Sequence, residues 1–355
     1  VSLLFSPLRL RSVTFPNRLW VSPMCMYSAV DGVVQDWHRT HLTQFASGGA
    51  GLIVAEATAV VPEGRISPRD AGIWTDEQRD AWAPIVAGIH ARGALAGIQL
   101  AHAGRKASTW WPWAPERGSV PASDGGWVTS APSAVAFEGF DPPQALDAAG
   151  IDALVDAFAT AARRALDAGF DVLELHGAHG YLIHQFLSPL SNRRDDEYGG
   201  SLGNRARLLL RVVDAVRDVA GEEVPLFVRI SATDHADGGI APDEATIVAE
   251  WVREHGADLI DVSSGGLVAH QRIDVFPGYQ VGLAGTVRRG GRIPTSAVGL
   301  ITAAEQAERV LEDGDADAIF AGREWLRDPH FGLRAAHDLG VDAPWPAQYE
   351  RARWR

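Results

Sequence analysis

The chain has 355 residues, of which 46% are hydrophobic and 22% charged, and its formal net charge at pH 7 is −13. This composition supplies a sizeable core, and no apolar run reaches the ~18 residues that a membrane span needs. The acidic balance argues against nucleic-acid and anionic-membrane partners, because either calls for a basic patch.

The first residues, Val1 to Pro7, lack the basic flank and long apolar stretch of a secretion signal, so the expected location is the cytoplasm. Lys106 is the only lysine, which confines any lysine chemistry to one position. Cys25 is the only cysteine. One cysteine excludes an intrachain disulfide, a four-cysteine zinc site and a cysteine-ligated iron–sulfur cluster. By default such a residue is a small buried hydrophobe.

In chain order, short apolar runs alternate with helix-length amphipathic segments. The candidate strands cover residues 19–23, 51–60, 96–102, 171–177, 225–231, 259–264, 294–299 and 317–322. Most are continuous hydrophobic runs, as befits strands covered on both faces. Helical spacing predicts helices over 76–92 and 151–168, stopped by Gly93 and Gly169, and further helices over 204–219, 243–255 and 303–313. Eight such strand–helix units predict a (β/α)8 TIM barrel in a single domain, 1–355. An open doubly wound sheet is the alternative, but no Gly-x-Gly-x-x-Gly turn follows the first strand.

Two stretches break the alternation. Residues 109–143, after the third strand, are rich in Pro, Gly and Trp. Four tryptophans there, Trp110, Trp111, Trp113 and Trp127, predict an ordered capping excursion on the face where such barrels carry their sites. The tail, 345–355, has the aromatic and arginine content of a segment that docks on something, for instance a neighbouring subunit.

Polar residues at the C-terminal ends of barrel strands are the first candidates for chemistry. In order they are Ser22–Tyr27, Glu56-Ala57, Gln99, His102, His176, His179, Tyr181, Arg229, Ser263-Ser264, Gly299 and Gly322-Arg323. Neutral hydrogen-bonders and aromatics dominate, whereas a hydrolase or a hard-metal site would want clustered carboxylates. Gly299 and Gly322, ending strands 7 and 8, match the usual phosphate site of these barrels, and Arg323 would add a charge-assisted bond. His176 and His179 admit three readings: metal ligands, structural histidines, or two N–H donors converging on one substrate oxygen. In the third reading Tyr181 is placed as a general acid. Arg229 lies inside the apolar run 226–230, so it needs an anion: an interior carboxylate such as Glu56 or Glu174, or a partly anionic cofactor ring. Gln99 reads either as an amide for a heterocycle's edge or as part of a polar barrel layer.

These residues in this order resemble the Old Yellow Enzyme family of FMN-dependent ene reductases, in its YqjM-like and xenobiotic-reductase-like bacterial branch. The resemblance is carried by Asn17-Arg18, segments 22–27 (Ser-Pro-Met-Cys-Met-Tyr), 98–106 (Ile-Gln-Leu-Ala-His-Ala-Gly-Arg-Lys) and 176–182 (His-Gly-Ala-His-Gly-Tyr-Leu). Segments 186–189, 192–201 and 276–280 and the pair Gly322-Arg323 extend it over nearly the whole chain. It implies noncovalent FMN held by Ser22, Pro23, Met24, Cys25, Ala57, Gln99 and Arg229, with Gly299, Gly322 and Arg323 at the phosphate. His176 and His179 would bind the substrate's activating oxygen, Tyr181 would be the proton donor, and Tyr27 would help position substrate. Trp325 and Arg351, the latter from a neighbouring subunit of a homodimer or homotetramer, are further substrate-binding candidates. NADPH or NADH would reduce FMN, and hydride would pass to the β-carbon of an activated alkene: an enone, enal, maleimide or nitroalkene.

The tail continues past the family's usual end with Ala352-Arg353-Trp354-Arg355, and the Trp-rich insert is longer than in the shortest relatives. The rival activity is a Schiff-base lyase of aldolase type on the same barrel, with Lys106 as nucleophile. It needs a desolvated lysine, whereas Lys106 follows Arg105 in a loop. A metal-dependent hydrolase built on His176 and His179 is a further alternative; no metal is expected. Neither a nucleic acid nor a membrane is expected as a partner.

Overall fold

A computed structural model of the chain describes residues 2–354; Val1 and Arg355, the outermost residues of the expected domain and tail, lie outside the described residues. Eight parallel strands close into one barrel: β1 (Leu19–Val21), β2 (Leu52–Ala59), β3 (Leu95–Ala101), β4 (Val172–Gly177), β5 (Leu226–Ser231), β6 (Leu259–Ser263), β7 (Thr295–Ala297) and β8 (Ala318–Ala321). Each strand pairs with the next in chain order, and β8 pairs with β1 to complete the ring. The expected barrel class is the observed one. The strands lie inside their expected windows except β3, which begins one residue early.

Helices cover the outside. Those over Asp76–His90, Ala148–Asp167, Leu202–Ala220, Pro242–Glu254 and Ala304–Glu312 match the expected set. Thr75 starts the first of them with a capping box, its side chain accepting from the N–H of Gln78 at 3.2 Å. Two crossover helices, Asp36–Ser47 and Val281–Gly291, were not expected. The second contains glycines at 282, 285, 290 and 291, which lower helix propensity, so barrel packing rather than local preference sustains it.

The inward positions of three neighbouring strands show how the sequence builds a site. Along a strand, alternate residues share a face. Val172, Phe227 and Leu259 join Trp20, Leu52 and Phe320 in an apolar cluster inside the lower barrel. A hairpin, Leu8–Leu10 with Val13–Phe15, plugs that end, and Phe15 packs on Trp20 with ring centroids 4.8 Å apart. Two residues further along come Glu174, Arg229 and Asp261, and two further His176, Ser231 and Ser263. The barrel interior thus changes from aromatic plug to charged layer to polar rim. The outward residues between them, Leu173, Leu175, Val228, Ile230, Ile260 and Val262, belong to the core shared with the helices.

The insert after β3 packs over the rim. Arg69 stacks 3.8 Å from the Trp111 ring centroid and Arg65 4.8 Å from that of Trp127, while Trp113 stands edge-on to Tyr27 at 5.8 Å. Among the described residues no helix is long and apolar enough to cross a membrane.

Candidate active site

The charged layer forms the floor. Strand register places Gln99 beside Glu174, and His176 beside Arg229, which in turn sits beside Asp261. Gln99 Nε2 donates to Glu174 Oε1 at 2.7 Å, and Ser296 Oγ donates to Asp261 Oδ1 at 2.9 Å. Arg229 Nε lies 2.9 Å from Asp261 Oδ2, within ion-pair distance but not aligned as a hydrogen bond. Arg229 therefore pairs with Asp261, not with Glu56 or Glu174. Burial and the neighbouring Asp261 hold the Glu174 carboxyl above its ordinary value. Burial raises Asp261 as well, against the pull of Arg229.

Above this floor opens a cavity of about 340 Å³. Its wall includes Ser22, Pro23, Met24 and Cys25 after β1, Ala57 in β2, Gln99 in β3 and Arg229 in β5. At the far end are Gly299, Gly322 and Arg323. Gly299 has φ +119°, a backbone setting that L side chains rarely adopt. Among the described residues Arg323 pairs with no carboxylate, in contrast to Arg327 and Arg334, which both hold Glu324. The loop carrying Cys25 is anchored from β2, where Glu56 Oε2 accepts the N–H of Met26 at 3.1 Å and Oε1 lies 3.2 Å from His38 Nε2. Burial pushes the Cys25 thiol well above its ordinary value, aided by Asp70, so it is held as the thiol.

His176, His179 and Tyr181 also line the cavity, and their rings meet nearly at right angles. The His176 centroid lies 5.2 Å from that of His179 and 5.0 Å from that of Tyr181. Burial, reinforced by Arg229, lowers both histidines well below the ordinary imidazole value. They are neutral, each with one N–H to offer. His176 Nδ1 is buried without a protein partner among the described residues. Burial raises the Tyr181 phenol, followed in effect by Cys25 and Asp70, so it holds its proton.

His179 occupies the left-handed region at φ +58°. Gly266 permits this close approach, because a Cβ there would lie 2.6 Å from the His179 backbone. The next turn is pinned by His184, whose Nδ1 accepts the Gly180 N–H at 2.8 Å and whose Nε2 reaches Asp234 Oδ1 at 2.7 Å.

Two expected placements, Trp325 and His102, are revised. Trp325 is fully buried, packed edge-on against Phe45 and Phe331, and its indole N–H donates to Trp20 O. It belongs to the core and does not line the cavity. Arg351, whose expected role is toward a neighbouring subunit, is exposed on the short turn Ala347–Ala352 and does not line this chain's own cavity. His102 is buried, and its Nδ1 accepts the N–H of Gly104. Tyr27 does not line the cavity; like the lining residues Cys25 and Tyr181, it packs against the small apolar cluster that contains Ala57.

Lys106 is also better enclosed than its place in a loop after Arg105 suggests. Burial, then Arg105, lowers its amine to about 8. Its Nζ donates at 2.8 Å to both His179 O and Gly266 O, and sits 5.1 Å from the Tyr181 ring centroid. Burial supplies the desolvated amine that the lyase reading asks for, but the amine is occupied in bracing the histidine loop and does not line the cavity, so the lyase reading is not supported.

Sequence reasoning overlooked Asp261, Asp234 and His184. Asp261 had a usable signal, since one acid inside the apolar run 259–262 mirrors the lone arginine in the run 226–230. The other two had none, because their pairing depends on how the loops after β4 and β5 fold together.

A family model described as NADH:flavin oxidoreductase / NADH oxidase matches residues 3–342. A protein named NADPH dehydrogenase from Listeria monocytogenes is 49% identical over 358 residues, covering 100% of both chains. Among solved structures, morphinone reductase in complex with tetrahydroNAD superposes with a TM-score of 0.79 at 31% identity, covering 97% of this chain and 92% of the other. The Old Yellow Enzyme homologue of Zymomonas mobilis gives a TM-score of 0.79 at 30% identity, with 96% and 94% covered.

Proposed function

This chain belongs to the NADH:flavin oxidoreductase / NADH oxidase family, the Old Yellow Enzyme family, and from that premise we propose that it is an ene reductase acting on activated alkenes. At the coarser level it is an FMN-dependent oxidoreductase that takes electrons from NADPH or NADH. The single observation that carries the finer reading is the convergence of His176, His179 and Tyr181 over a cavity floored by Gln99 and Arg229.

FMN fits the residues present. Among the described residues Ser22 Oγ is buried without a protein partner, and Arg229 turns a single ion-paired edge to Asp261. Gln99 is held by Glu174 with its amide nitrogen downward, which leaves its carbonyl for the cavity. Arg323, unpaired with any carboxylate among the described residues, supplies charge for a phosphate beside Gly299 and Gly322. Bound FMN supplies the two-electron chemistry between the nicotinamide and the β-carbon of the alkene, as cofactors generally carry the hard step.

The chain's own residues supply activation and the proton. The neutral N–H groups of His176 and His179 converge on the carbonyl or nitro oxygen of the substrate and stabilise the negative charge that develops there. Tyr181 O–H delivers a proton to the α-carbon, and its raised value keeps it protonated until that moment. Solvent protons then restore the phenol. Cys25 lines the cavity with Tyr181, and Tyr27 packs against the same apolar cluster as both. The exposed tail carrying Tyr349, Arg351 and Trp354 is the surface suited to meet a second copy of the chain.

Anaerobic titration tests this reading. NADPH should bleach the bound flavin absorbance, and adding 2-cyclohexen-1-one should restore it with one equivalent of cyclohexanone formed. A reduced flavin that only dioxygen reoxidises, across enones, maleimides and nitroalkenes alike, would overturn it.

A further inference from the structure

The turn after β7, residues 298–302, lines the end of the cavity that carries Gly322 and Arg323. Two successive residues in it have positive φ, Gly299 at +119° and Leu300 at +53°. For leucine that setting is strained, and it persists only where the surrounding structure over-determines it. The surroundings that do so are a helix and a loop packed against the turn.

Each carbonyl of residues 298–300 accepts from a donor outside the turn. Gln280 Nε2 donates to Val298 O at 3.2 Å, the Gly278 N–H to Gly299 O at 2.8 Å, and Gln306 Nε2 to Leu300 O at 3.3 Å. Gln306 Oε1 accepts the N–H of Thr302 at 3.2 Å. A backbone carbonyl only accepts and a backbone N–H only donates, so the orientation of this amide is settled by its two partners. From the helix Ala304–Glu312, Gln306 thus spans the turn without lining the cavity. It also backs Gly278, where a Cβ would lie 3.3 Å from its Nε2. By contrast, the N–H groups of Gly299, Leu300 and Ile301 donate to nothing among the described residues. Successive free N–H groups are what a backbone anion site is made of.

We propose that Gln306 is a positioning residue for the FMN phosphate: by holding Leu300 O and the Thr302 N–H together it fixes the turn in the form whose free N–H groups receive the phosphate. It acts through the turn. This rests on the reading of the cavity end at Gly299, Gly322 and Arg323 as the phosphate end. The flavin ring is read at Gln99 and Arg229, so loss of the clamp costs phosphate binding and spares the ring.

FMN and riboflavin differ only by the phosphate, so their competition isolates it. Holoprotein is equilibrated with graded riboflavin, and the flavins that stay bound are quantified by chromatography. Wild type should hold FMN against a large excess of riboflavin. Gln306→Met removes both bonds at nearly constant side-chain length, and it should lower that preference about tenfold, the worth of one neutral hydrogen bond. Gln306→Glu keeps an acceptor for Thr302 but loses the donor to Leu300, so it should lower the preference too; it decides the matter if the methionine variant does not fold. A merely structural role would weaken both flavins equally and leave the preference at its wild-type value, which overturns the proposal. Wild-type protein alone tests the underlying reading: backbone amides of residues 299–301 should exchange with deuterium more slowly with FMN bound than with riboflavin bound. Equal exchange overturns the phosphate reading, and the proposal with it. Slower exchange with FMN but an unchanged preference in the variants overturns the role of Gln306 alone.

Discussion

His184 Nε2 lies 2.7 Å from Asp234 Oδ1, and neither side chain has any exposure to solvent. His184 Nδ1 accepts the Gly180 N–H, so Nε2 is the nitrogen that donates to Asp234. Asp234 also accepts from Ser188 Oγ at 2.6 Å and from the Ile240 N–H at 2.8 Å. One carboxylate thus ties the loops after β4 and β5 together, directly behind His179 and Tyr181.

Asp234→Ala leaves these buried donors unpaired and should lower stability by about 3 kcal/mol, read from urea denaturation. Burial raises this carboxyl, but the bonds from His184, Ser188 and Ile240 outweigh it and leave it below the ordinary value of 3.8. A depressed carboxyl contributes stability above its unfolded value and loses it as pH falls through the folded one. The gap between wild type and Asp234→Ala should therefore narrow only below about pH 4.

Asp70 makes the opposite case. It is buried beside the Cys25 loop, accepting from Ser67 Oγ at 2.6 Å and from the Ile66 N–H at 2.9 Å, and burial raises it to about 7. Its contribution is fully present below the unfolded value and is lost as pH rises toward the folded one. Asp70→Asn imitates the protonated form. Relative to wild type it should gain stability between about pH 4 and pH 7 and change no further above that. Denaturation curves across this interval decide it, and a flat difference would contradict the assignment.

Lys106→Met removes both donors from the carbonyls of His179 and Gly266. We expect a loss of about 2 kcal/mol from the unsatisfied carbonyl groups. FMN content should be unchanged, because Lys106 lies outside the cavity wall. Thermal unfolding and flavin absorbance check the two statements separately.

The barrel was legible in the sequence because eight apolar runs alternate with amphipathic helices, and strand ends can be located from that alone. The bed residues followed from position: Gln99 and Arg229 are polar side chains inside apolar strands, and burial without partners demands a ligand or an ion pair. What stayed hidden was pairing across the barrel. Arg229 finds Asp261 through parallel register, which spacing along one strand does not reveal. Trp325 appeared at a plausible place near the cavity, yet its side chain turns into the helical core, a matter of packing that adjacency to Arg323 cannot settle. The enclosure of Lys106 likewise comes from loops distant in sequence, at His179 and Gly266.

The role of Tyr181 is the centre of the account, and anaerobic stopped-flow spectroscopy of Tyr181→Phe separates the two half-reactions. The variant should still be reduced by NADPH at the wild-type rate, while reoxidation by an enone slows by about 10²–10⁴-fold, the usual worth of a positioned general acid. Equal slowing of both half-reactions, or reoxidation at the wild-type rate, would contradict Tyr181 as the proton donor.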